Sequence, residues 1–148
     1  MKGFLSQLIS LILIFFMLIV SPLINDYGIQ EMENRTKILE NTSEFLDKVT
    51  DKGSISDDDL NEFYLEIEAH GLVLNVEVSR FVKTATMGPT GEVNTTYMAA
   101  DDMTVLNTHD IVQVKLTELS VTPYQKLLRM FLRLNRNNYE LQMAKMVK

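Results

Sequence analysis

The chain has 148 residues, a net charge of −6 and no cysteine. It therefore carries no disulfide framework and no catalytic thiol. Without Lys2, the charges after residue 25 are 13 basic against 20 acidic, a surface ill suited to nucleic acid, whose phosphates need neutralising.

The first element is an uncharged apolar run, Phe4–Ile24, inside a charge-free stretch from Gly3 to Asn25. As a helix rising about 1.5 Å per residue, it is about 30 Å long, the thickness of a bilayer's hydrocarbon core. Lys2 precedes it, and Asp26, Glu31 and Glu33 follow it. Basic residues decide orientation, and here Lys2 and the start amine stand against Arg35 and Lys37, which lie further along; this thin positive-inside bias predicts a cytoplasmic N-terminus and an extracytoplasmic body. The run is long for a signal-peptide core, and Ser21-Pro22-Leu23 and Asn25-Asp26-Tyr27 are poor cleavage triplets. No second run of spanning length follows, so a single pass is expected. Ser6, Gln7 and Ser10 are polar groups at membrane depth and are expected to face protein rather than lipid.

Ile29 to Val49 reads as an amphipathic helix, with Ile29, Met32, Leu39, Leu46 and Val49 near a seven-residue spacing and Phe45 broadening the stripe. Leu39 is expected to face the body or a neighbouring subunit. The preferred reading is one helix from Phe4 to Thr50, hinged near Pro22–Gly28. Gly53 stops it. Ser56 caps a second helix, whose first turn holds Asp57, Asp58 and Asp59. These contiguous acids suit a helix start better than a calcium loop, which alternates its oxygen ligands. Leu60, Phe63, Tyr64 and Ile67 form the inward face, and His70-Gly71 ends the helix.

Leu72–Val82 alternates as a strand, with Leu72, Leu74, Val76, Val78 and Val82 on one side. Thr84–Thr96 is turn-rich around Gly88-Pro89-Thr90-Gly91, with a short strand expected at Thr95–Ala99. Asp101–Asp110 reads as irregular. Ile111–Leu119 is a clear strand, placing Val112, Val114 and Leu116 on one face. Thr122-Pro123 opens a helix with an apolar side of Leu127, Leu128, Phe131, Leu132 and Leu134, while Arg129, Arg133 and Arg136 lie apart from it. Asn135–Asn138 reads as a turn, and Tyr139–Val147 as a closing strand.

The expected fold is α+β: an N-terminal transmembrane helix continues into a long amphipathic helix, followed by a small antiparallel-sheet domain with short helices. The divisions are 1–3 (a possible short leader), 4–24 (the membrane helix), 25–50 (the stem) and 51–148 (the body). His70 and His109 stand without an HExxH pattern or a cysteine set, so no metal site is expected. Gly88-Pro89-Thr90-Gly91 lacks the Lys and Ser/Thr of a phosphate loop, and there is no GxSxG element. No catalytic residue and no cofactor is expected.

Three features carry a resemblance. Met1-Lys2-Gly3-Phe4 resembles the end of a prepilin leader, with processing between Gly3 and Phe4. FLDKVTDKGSISDDDLNEFYLE, from Phe45 to Glu66, resembles the helix, Gly and acidic-helix segment of TadE-like pilin and pseudopilin proteins of Gram-positive bacteria. The strand, Thr-Pro-x-Gln-Lys helix and closing strand across Leu119–Leu132 and Tyr139–Val147 resemble the same group. The resemblance implies a membrane-held subunit of a pilus, secretion or conjugation apparatus. Its partners would be the lipid bilayer and other pilin-like subunits or membrane assembly proteins, with Ser6, Gln7, Ser10 and Leu39 as assembly contacts. Major pilins carry Glu at the fifth residue after the cut, where this chain has Leu8. That departure implies a minor or pseudopilin role. The alternative is an anchored accessory or binding domain that does not polymerise.

Overall fold

A computed structural model of the chain describes residues 2–134 and 138–148. The fold is α+β, as expected. α1, Lys2–Phe15, passes through a π turn, Phe16–Val20, into α2, Ser21–Lys52. α3 is Asp57–Glu68 and α4 is Pro123–Leu132. The strands are β1, Leu74–Met87; β2, Val93–Ala100; β3, Ile111–Glu118; and β4, Glu140–Met146. They form one antiparallel sheet in the order β2-β1-β3-β4. The sequence turn at Asn135–Asn138 falls mostly outside the described residues. The chain divides into two units, Met1–Arg35 with Val121–Asn137, and Thr36–Ser120 with Asn138–Lys148.

In the first unit the helix departs from α geometry one turn before the expected hinge. Pro22 has no N–H to donate to the carbonyl of Leu18, and its ring crowds that carbonyl. The preceding turn widens, and Ser21 N–H reaches back five residues to the carbonyl of Phe16. Gly28 is not a hinge but lies inside regular helix. A Cβ added there would sit 3.1 Å from the Tyr124 ring, so glycine lets α4 approach closely. α4 starts with Thr122, whose hydroxyl accepts from Gln125 N–H at 3.2 Å, and with Pro123 in the first turn. The same hydroxyl donates to the buried carboxylate of Glu31, which pairs with Arg35 at 2.7 Å. At the other end of α4 the Phe131 ring meets Phe16 edge-on, centroids 6.0 Å apart. α4 therefore runs antiparallel to the long helix.

In the second unit a single core joins the end of α2, α3 and one face of the sheet. Ile38, Phe45, Leu46, Val49, Phe63, Ile67, Val112, Val114 and Leu116 are its centre. Phe45 stacks on Phe63 with centroids 4.3 Å apart. Here the stripe read from sequence is corrected. Leu46 and Val49 are buried, but Leu39 is 45% exposed while Ile38 is fully buried, and Ile29 and Met32 are exposed. The inner face is Ile38, Thr42, Phe45 and Val49, about 100° around the helix from Leu39. Thr42 is tolerated on it because its hydroxyl donates to the carbonyl of Ile38 at 2.6 Å.

α2 stops at Gly53, which has φ +71°. Ser56 and Asp59 then form a reciprocal capping box. Asp59 also pairs with Lys52 at 2.7 Å and Lys48 at 3.3 Å. The Lys52 bond, then the Ser56 bonds, hold its carboxyl well below the usual carboxylate range. Its contribution is therefore complete above its ordinary pKa of 3.8 and is lost as pH falls below that value toward the depressed folded pKa. Ser56→Ala should cost about 1 kcal/mol at neutral pH. Asp59→Asn should be less stable than wild type near neutrality, and the gap should narrow as pH drops below about 4. Thermal unfolding across that range checks this; a gap independent of pH would refute the assignment.

β1 continues five residues past the expected strand end. Its first half pairs with β3, and from Arg80 to Met87 it pairs with β2. The Gly88–Glu92 connection, with Gly88 N–H donating to the Glu92 carbonyl at 2.8 Å, closes this hairpin. The outer half has little apolar alternation because it is largely exposed. β-branched cross-strand pairs such as Thr84 and Thr96 sustain it instead.

Candidate assembly and membrane surface

Among the described residues one helix, Gly3–Lys52, is long and apolar enough to cross a bilayer. Residues 3–19 are all exposed, and burial begins only at Val20. This surface is almost wholly hydrocarbon, so either lipid or another protein must cover it if its exposure to water is to be avoided.

The sequence-derived contact residues separate into two groups. Ser6 and Ser10 are one helical turn apart, and Gln7 is three residues from Ser10, so the three share a face. All are exposed, and among the described residues their side chains have no hydrogen-bond partner. Gly3 precedes them with no heavy atom within 4 Å of an added Cβ, and Phe4 is 73% exposed. These small and polar side chains leave room for a neighbouring backbone and donors for it to meet. Leu39 belongs to the second unit, on the outer side of a helix whose inner side is the core. Farther along the first unit, Ser21, Ile24, Asn25, Gly28, Ile29, Met32 and Tyr124 line an open groove of about 440 Å³. Ile29 and Met32 thus lie on this open surface rather than in a core.

The polar centres of the body have structural settings. Asp57 and Asp58 are exposed in the first turn of α3, while Asp59 caps it. The cleft beside it, lined by Glu44, Lys48, Glu62 and Glu66 over Phe45 and Phe63, encloses about 210 Å³, below the usual size of a cofactor pocket. Lys48 bonds Glu62 at 2.5 Å, which raises its pKa. His70 shares a hydrogen bond with the Asn41 amide at 3.1 Å. His109 takes a left-handed backbone, φ 73°, and its N–H donates to the Val147 carbonyl. Asp102 accepts from the hydroxyl and N–H of Thr104, which lowers its pKa. Among the described residues no group of three His, Asp or Glu side chains is placed to hold a metal ion.

Sequence reasoning missed the buried ion pair on β1. Arg80 occupies the core-facing parity of β1, between Val78 and Val82, and is 6% exposed. Its Nε and Nη2 donate to Asp110 at 2.9 and 2.6 Å, and its Nη1 to the Asp102 carbonyl at 2.7 Å. The available signal was the gap in the apolar list at position 80. Comparison with protein-family models, curated proteins and solved structures finds no match for this chain.

Proposed function

We propose that the chain is a membrane-anchored minor pilin-like or pseudopilin subunit, of TadE-like type, in a pilus, secretion or conjugation apparatus. Its N-terminus is cytoplasmic and its body extracytoplasmic, and its role is non-enzymatic. The observation that carries this reading is the helix Gly3–Lys52. Its first third is exposed and almost wholly hydrocarbon, and its last third packs Ile38, Phe45, Leu46 and Val49 into the core of the body. Such an element can hold a subunit in lipid and later exchange lipid for neighbouring helices without refolding the body. Because both surroundings are apolar, side-chain packing and polar contacts must supply the preference for protein. Gly3, Ser6, Gln7 and Ser10 are the residues for that contact, and processing falls between Gly3 and Phe4.

Leu8, 46% exposed and apolar, favours the second reading, an anchored accessory domain that does not polymerise. It leaves no carboxylate at the fifth position to meet a new amine on Phe4. Intact-mass measurement of the native protein, combined with crosslinking of Ser6→Cys and Ser10→Cys, decides between them. The chain has no other cysteine to confuse the result. A mass beginning at Phe4 with crosslinks to a pilin-like chain is expected. An uncut terminus without crosslinks while the apparatus assembles would leave the accessory domain.

A further inference from the structure

We infer that the C-terminal half of α4 is a second membrane contact, an amphipathic tip that rests in the outer leaflet and binds anionic phospholipid headgroups. The inference rests on the anchor reading above and adds a surface to it. Phe131 lies against Phe16, ten residues before Asp26, the first acidic residue. That is about 15 Å along the helix, inside the uncharged run rather than beyond it. The tip therefore sits at membrane level once the run is in lipid.

Its composition matches that position. Met130 is 72% exposed, Phe131 41%, Leu132 50% and Leu134 55%. Only Leu128 and Gln125 of α4 are buried, so the apolar side read from sequence is largely uncovered at its far end. Lys126, Arg129 and Arg133 are exposed among these side chains. An interfacial helix has this pattern, with apolar groups entering the acyl chains and long cationic ones reaching back to phosphates. Arginines cannot sit in the bilayer centre without large cost, so the tip places the outer boundary of the hydrocarbon near Val20, with the phosphates next to it. Gly3–Val20 is then the hydrocarbon segment, about 26 Å long, short enough to require slight bilayer thinning. Ser21 and Asn25 fall among the headgroups, where their polar side chains can be solvated. Asp26 lies six residues past Val20, about 9 Å from that boundary, close to a Debye length at physiological salt. The acidic stem is thus set back from the same anionic lipid that attracts the tip, and its repulsion is weakened.

Full-length protein in phosphatidylcholine nanodiscs, with and without about a third phosphatidylglycerol, tests this. A nitroxide is placed singly at Met130→Cys, Leu132→Cys, Ile12→Cys or Leu65→Cys. Labels at positions 130 and 132 should be reached by oxygen and shielded from a water-soluble nickel chelate, like Ile12 and unlike Leu65. In anionic discs, Arg129→Gln and Arg133→Gln should each raise the water-exposed share of the Leu132 label relative to the immersed share, by about fivefold. An aqueous Ile12 label would defeat the anchor itself. A lipid-immersed Ile12 with aqueous labels at 130 and 132 would defeat only the second contact. Dipolar broadening between Leu132 labels would show a second copy on this face and overturn lipid as its occupant. No response to either arginine substitution would overturn the headgroup role.

Discussion

Replacing Asp110 by alanine should destabilise the body by about 3–5 kcal/mol, because it strands a buried guanidinium. Side-chain exposure is 7% for Arg80 and 2% for Asp110, so water cannot replace either partner. Asp110 also accepts from the Asn107 N–H at 2.8 Å, so the same deletion frees the loop that leads into β3. Small domains have about 5–15 kcal/mol in total, and the loss is a large share of it. Asp110→Asn keeps the shape but not the charge and should fall between. The double variant Arg80→Met with Asp110→Ala should recover much of the loss, since an apolar pair avoids the desolvation of an ion pair. Thermal unfolding of the full chain in detergent, followed by circular dichroism, measures all three. A cost below about 0.5 kcal/mol for Asp110→Ala would mean the pair is solvated.

Ile38 and Leu39 should behave oppositely although they are adjacent. Ile38→Ala removes a fully buried side chain from the core and should cost about 2–5 kcal/mol. Leu39→Asp places a charge where the side chain is already half in water and should change stability by no more than about 0.5 kcal/mol. This difference makes Leu39 useful as a functional probe. A folded Leu39→Asp chain that no longer crosslinks through Ser6→Cys and Ser10→Cys would place Leu39 in a subunit contact. A folded chain that crosslinks normally would remove it from the set. If Leu39→Asp unfolds the body and Ile38→Ala does not, the face assigned to α2 is wrong.

Much of the fold was legible because its signals are local. The uncharged span, Gly53, the Ser56 cap, Thr122-Pro123 and the alternation of Ile111–Glu118 each fall within a few residues of the structure they specify. The face of α2 was not, because Leu39 and Leu46 imitate a heptad while Thr42 hides the true stripe. A threonine satisfied by its own helix counts as apolar in packing but polar in a pattern. The extended hairpin was missed for a related reason: with most of its outer residues in water, it needs little alternation. For the candidate surface, the exposed span with Ser6, Gln7 and Ser10 was readable from composition. The docking of α4 was not, since Thr122 meets Glu31 across 91 residues of sequence. Nor could sequence show that Phe131 returns to the level of Phe16.

The sheet ends in two unlike edges. β2, Val93–Ala100, carries no charge and no proline, so it lacks two of the usual guards against strand addition. β4 carries Glu140, paired with Lys115, and Lys145, paired with Asp47. Two copies meeting through β2 would lie antiparallel about a two-fold axis and leave only β4 edges outside. That pairing closes on itself as a dimer, whereas joining β2 to β4 would repeat without end. The asymmetry of charge therefore separates a finite pairing from a runaway one. A sheet of eight strands, four from each copy, is the largest that β2 self-pairing can build.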